Sequence, residues 1–124
     1  MAGKKILVVD DSPMELKLIT APLRAQNYEI ITATDGKEAL SIALAEKPDL
    51  IVLDVVMPRM DGFQACRKIK ASPELQHIPV IMLTSKTLKA DEFWGKKQGA
   101  AAYLTKPFED SVLVDAVAQN LGER

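Results

Sequence analysis

Along the whole chain, short apolar runs alternate with stretches of helical period. Residues 4–10 (KKILVVD) hold four consecutive apolar side chains, Ile6 to Val9, which predicts a strand covered on both faces. Ser12 and Pro13 then form a helix start, N-cap and first helical position, and Met14, Leu16, Leu18, Ile19 and Leu23 supply its apolar positions. Residues 28–34 (YEIITAT) alternate weakly, and Asp35-Gly36 punctuates. Ala39, Leu40, Ile42, Ala43 and Leu44 then predict a second helix that Lys47-Pro48 stops. A strand over 49–54, a loop over 55–62, a helix over 63–70, a strand over 78–84, a helix near 89–98, a strand over 101–105 and a helix from 109 to 121 complete the pattern.

Strands that alternate with helices in this way predict an α/β fold, because right-handed crossovers leave few other solutions than a mainly parallel sheet with helices on both faces. The expected architecture is a flavodoxin-like (βα)5 doubly wound sheet with strand order 2-1-3-4-5. Its ligand crevice lies at the carboxyl ends of the strands, where the winding reverses between strands 1 and 3. At 124 residues the chain suits one domain spanning residues 1–124, with no repeat, linker or output domain.

Composition excludes several classes of partner. The 16 basic and 17 acidic residues are interspersed, so there is no basic stripe for nucleic acid and no cationic amphipathic helix for a membrane surface. Cys66, being alone, forms no internal disulfide, and neither a signal peptide nor a membrane span is visible, which makes the cytoplasm the expected compartment.

The polar residues at the strand ends carry the chemistry. Strand 1 ends in Asp10 and Asp11, strand 3 in Asp54, strand 4 in Thr84 and Ser85, and strand 5 in Thr105 and Lys106. Strand ends commonly hold polar residues. In the order 2-1-3-4-5, however, these four strands are neighbours, and three carboxylates, a hydroxyl and an ammonium converge on one rim. Crowded carboxylates repel one another unless a cation joins them, and a set of oxygen donors without His or thiolate suits Mg²⁺ rather than zinc. His77 precedes strand 4 and is expected on the opposite rim. A carboxylate beside such a metal can attack a phosphoryl group, Lys106 can balance the charge that arrives, and Thr84 can donate a hydrogen bond to it.

These residues resemble a known family. VVDDS, LIVLDVVMPRMDG, VIMLTSK and AAYLTKPF, in this order and spacing, are similar to the receiver domains of two-component response regulators, and the length resembles the stand-alone chemotaxis type. The resemblance spans residues 4–121. It implies that Asp54 is phosphorylated by a histidine kinase or its phosphotransfer domain. It implies that Mg²⁺ is held by Asp10, Asp11, Asp54 and the Val56 backbone carbonyl, and that Lys106 pairs with the phosphoryl group. Thr84 and Tyr103 match the family's switch pair, and the Lys106–Pro107 peptide is expected to be cis. It further implies a monomer whose downstream target docks on the face of the fourth helix, fifth strand and fifth helix.

Within that resemblance, a phosphorylation-controlled signalling switch that catalyses only its own phosphorylation and dephosphorylation is expected. The alternatives are a phosphate sink and an aspartate-dependent phosphohydrolase. The hydrolase normally needs a second acid two residues beyond its nucleophile, where this chain has Val56. Val56 and Lys86 occupy positions that influence phosphate loss in the family. DEFWGKKQGA, residues 91–100, resembles the regulators of pilus-driven twitching motility.

The remaining residues of note are expected to be structural. Gly62 is read as a backbone turn closing the Met57–Asp61 loop, Gly99 as the end of the fourth helix, Cys66 as a packing residue, and Met57, Met60 and Met82 as gap fillers. Phe93 and Trp94 are adjacent, hence about 100° apart on a helix, and are expected at the margins of its apolar stripe.

Overall fold

A computed structural model describes residues 3–57, 60–85 and 88–123. The elements, in chain order, are β1 (Lys5–Val9), α1 (Pro13–Arg24), β2 (Glu29–Ala33), α2 (Gly36–Glu46), β3 (Leu50–Leu53), α3 (Gly62–Ala71), β4 (Val80–Thr84), α4 (Lys89–Lys97), β5 (Ala102–Thr105) and α5 (Asp110–Asn120). The strands form one parallel sheet in the order β2-β1-β3-β4-β5, as the alternation predicts.

Side chains alternate across each strand, so the sheet divides the core in two. Ile6, Val8, Leu50, Val52, Ile81 and Leu83 face α1 and α5, where Ile19, Leu23, Leu113 and Val117 meet them. Leu7, Val9, Ile51, Leu53, Val80 and Met82 face the other way, against Ala39 and Ala43 of α2 and Ala65, Cys66 and Ile69 of α3. Every residue of β3 and β4 is buried, which is why these strands read as uninterrupted apolar runs. Each Leu or Ile so covered contributes about 1.5–3 kcal/mol. β2 lies at an edge and keeps two exposed positions, the source of its weak alternation.

Helix starts follow from local chemistry. Ser12 Oγ accepts from the Glu15 N–H at 3.3 Å, Asp35 Oδ1 from Glu38 at 2.8 Å, and Asp61 forms a reciprocal capping box with Gln64. α4 differs. Leu88 at its N-cap supplies no side-chain hydrogen bond, and of the nine described residues of the helix Gly95 alone is buried. Phe93 and Trp94 are therefore not packed at the margins of a core stripe. They are 60% and 53% exposed, their rings in an edge-on contact 6.3 Å apart. The helix presents its one residue without a side chain to the sheet, because the Tyr103 ring and Met82 already fill the space beneath.

Gly99 and Gly62 are required for different reasons. Gly99 follows α4 at φ +104°, the left-handed conformation expected of a helix terminator. Gly62 is not among the described residues with positive φ. It lies so close to the Asp54 carbonyl and Val55 Cα that a Cβ has no room, so close approach of backbones, rather than a turn, requires glycine there. Cys66 is buried, its thiol donating to the Gln98 carbonyl at 3.4 Å, and burial pushes the thiol pKa up to about 11, in keeping with a packing role. No helix among the described residues is long and apolar enough to cross a membrane.

Candidate functional site

The sheet ladder continues one residue past the strands and fixes the rim. The Asp10 N–H donates to the Ala33 carbonyl at 3.1 Å, Asp54 to Val9 at 3.0 Å and Lys106 to Thr84 at 2.8 Å. Each polar residue is thus held in register with its neighbour by backbone bonds, so the side chains converge whatever their own interactions. One carboxylate oxygen each from Asp10, Asp11 and Asp54 lie within 4.8 Å of one another. Asp10 and Asp54 are buried and Asp11 is exposed, leaving the group open on one side.

Lys106 is the cation that the paired acids call for. Its Nζ lies 2.7 Å from Asp10 Oδ2, 3.0 Å from Glu15 Oε1 and 3.6 Å from Asp54 Oδ2. Burial works to lower the Lys106 pKa, but the bonds to Asp10 and Glu15 and the charge of Asp54 outweigh it, so the ammonium titrates above its ordinary value. Asp54 shows the opposite balance. Burial raises its pKa, Lys106 opposes this, the Asp10 charge adds to it, and hydrogen bonds from the Thr84 hydroxyl and the Val56 N–H, the latter at 3.3 Å to Oδ1, partly compensate. The net direction is upward, so the folded metal-free site holds the Asp54 charge at a cost.

The donor set fits a hard divalent cation. It is all carboxylate, it is crowded, and its most exposed member opens to solvent, whereas a purely structural cluster of this kind is offset by one ammonium only in part. Both Asp10 oxygens are engaged, Oδ1 by the Ser12 N–H at 3.0 Å and Oδ2 by Lys106.

The other expected residues fall around this centre. Thr84 is fully buried and bonded to Asp54. By strand alternation it points to the same side of the sheet as Met82, which pairs with Tyr103 in the β4–β5 register. Tyr103 is half-buried against the core on that side; burial, together with the charges of Asp91, Glu92 and Asp54, raises its phenol pKa to about 12. The Lys106–Pro107 peptide is cis. His77 lies before β4, away from the rim, and is exposed. Lys86 falls outside the described residues, as do Pro58 and Arg59 of the Met57–Asp61 loop. Sequence reasoning missed Glu15, which joins the rim from the first turn of α1 and, with Lys106, Leu18, Pro107 and Phe108, lines a groove of about 420 Å³.

Comparison with known proteins agrees with this geometry. Residues 6–118 match the model of the response regulator receiver domain. The chain is 42% identical to protein PilH of Pseudomonas aeruginosa over 113 residues, 91% of this chain and 93% of that protein. Among solved structures it resembles the chemotaxis protein CheY4 of Vibrio cholerae, at TM-score 0.89 and 35% identity, covering 95% of this chain and 98% of that one. It also resembles the receiver domain of the sensor histidine kinase PA1611 of Pseudomonas aeruginosa, at TM-score 0.90 and 33% identity, covering 98% and 99%. That structure has a magnesium ion coordinated in its active site cleft.

Proposed function

The chain belongs to the response regulator receiver domain family of two-component signalling, and from that premise we propose that it is a switch that accepts a phosphoryl group on Asp54 and thereby changes its binding to a partner protein. The donor is the phosphohistidine of a histidine kinase or of its phosphotransfer domain. An Asp54 carboxylate oxygen forms a bond to phosphorus, the phosphorus–nitrogen bond breaks, and its electron pair stays on the imidazole, which takes up a proton. The product is an acyl phosphate. Burial makes the Asp54 oxygen more basic and so a better nucleophile.

The observation that carries this reading is the convergence of the three carboxylates with Lys106 and the Thr84 hydroxyl on Asp54. Asp10, Asp11, Asp54 and the Val56 carbonyl would hold Mg²⁺, which supplies charge neutralisation at the transferred group when bound. Lys106 pairs with the arriving oxygens, and Thr84 donates to one of them. Drawing the Thr84 hydroxyl inward changes the space available to Tyr103, and the change is read on the face of α4, β5 and α5. The protein is not an enzyme toward other substrates: Val56, apolar and exposed, stands where a phosphohydrolase has its general acid. Similarity to PilH supports the pilus-motility subgroup.

Exposure to acetyl phosphate with Mg²⁺ tests the assignment by intact-mass spectrometry. One phosphoryl adduct is expected on the wild type and none on Asp54→Asn. An undiminished adduct on that variant overturns it.

A further inference from the structure

We propose that Glu15 is a positioning residue that holds Lys106 in a resting place closer to Asp10 and Glu15 than to Asp54, and so sets how tightly the site retains a phosphoryl group. The inference rests on the reading of Asp54 as phosphoacceptor. Ser12-Pro13-Met14-Glu15 has the spacing of a capping box, in which the glutamate ordinarily returns a bond to the N-cap N–H. Half of that box is present, since Ser12 Oγ accepts from the Glu15 N–H. The other half is not, because the Ser12 N–H is already taken by Asp10 Oδ1. The Glu15 carboxylate is thereby released from its local role and reaches across to Lys106 at 3.0 Å. Its favourable interaction with the helix N-terminus does not require this, since a first-turn acid serves the dipole equally well while pointing into solvent.

The ammonium has three protons and three carboxylates around it, and Asp54 is the most distant of them. A phosphoryl group on Asp54 brings close to two negative charges, and Lys106 must turn toward them. Of its two closer partners Glu15 yields more easily: its side chain is 33% exposed, against 1% for Asp10, and water can replace the ammonium. Glu15 therefore stabilises the unphosphorylated arrangement in particular.

Beryllofluoride, a stable mimic of the phosphoryl group, reads this balance as an affinity. In Mg²⁺, Glu15→Gln, which keeps the shape and loses the charge, is expected to tighten beryllofluoride binding about three- to fivefold, the upper part of the range for an exposed ion pair. Loss of any nearby negative charge also favours an anion, so Asp110→Asn serves as the control. Asp110 lines the same groove but is not one of the ion-pair partners of Lys106 among the described residues. A change in Glu15→Gln that exceeds the Asp110→Asn change at least threefold, and that shrinks to within twofold in a Lys106→Met background, supports the inference. Equal changes in the two variants, or a Glu15→Gln effect that survives loss of Lys106, overturn it while leaving the phosphoacceptor reading intact. Failure of the wild type to bind beryllofluoride overturns both.

Discussion

Gly95 of α4 is packed against the ring of Tyr103 so closely that a Cβ would stand 2.8 Å from Tyr103 Cδ2, and as close to Met82 Sδ. The thioether end can shift, but the ring can only turn. In Gly95→Ala the added methyl gains about 1 kcal/mol of helix propensity and costs about 1–3 kcal/mol in overpacking. The expected net loss is small, and the ring is driven outward. Its phenol, raised to about 12 chiefly by burial, should titrate closer to the ordinary tyrosine value of about 10. Absorbance titration in a Tyr28→Phe background measures this, and an unchanged value would show that the ring keeps its place.

Asp54 makes the stability of the metal-free chain pH-sensitive. The Asp54 pKa is raised on folding, so the folded state binds the proton more tightly than the unfolded state. Its charge opposes folding at neutral pH, and that opposition is relieved as pH falls through the raised value. In chelator, Asp54→Asn is expected to melt above the wild type at pH 7, by a few degrees for about 1 kcal/mol, with the gap closing toward pH 4. Asp11→Ala should also melt higher in chelator and lose the stabilisation that Mg²⁺ gives the wild type. A wild type that melts above both variants in chelator would mean that these carboxylates are structural.

Gly62→Ala should be far more damaging than Gly95→Ala. The neighbours at Gly62 are backbone atoms of Asp54 and Val55, which cannot move without displacing the phosphoacceptor. A loss of about 3 kcal/mol or more is expected in chemical denaturation, with weakened Mg²⁺ binding in whatever fraction folds.

Trp94 offers a reading of the distant face. Half-exposed beside Gly95, it should change its fluorescence when beryllofluoride binds, and Thr84→Ala should suppress the change without preventing binding. The same signal in Thr84→Ala would remove the hydroxyl from the route between rim and face.

Most of the architecture was legible because strands of a parallel sheet are covered on both sides and print themselves as apolar runs; β3 and β4 are the clearest cases. The rim was legible for a related reason, since Asp10 and Asp54 directly follow such runs and Lys106 directly follows the edge strand β5. Glu15 was not, because nothing in linear spacing brings the first turn of α1 beside the residue after β5. The need for glycine at 62 was visible, but its cause was not: a close approach of two backbone segments leaves no trace in a single sequence. Phe93 and Trp94 misled because a helix with two large apolar residues ordinarily buries one of them, and here a glycine takes the inward position.

The thin attachment of α4 has a consequence for how the molecule spends its stability. A helix anchored by one buried residue and started without a side-chain cap opens at small free-energy cost, whereas β3, flanked by β1 and β4 and fully covered, opens only when the whole domain does. Amide exchange should therefore run through α4 orders of magnitude faster than through β3. The segment that would report the signal can be remade many times while the strand that carries Asp54 stays closed.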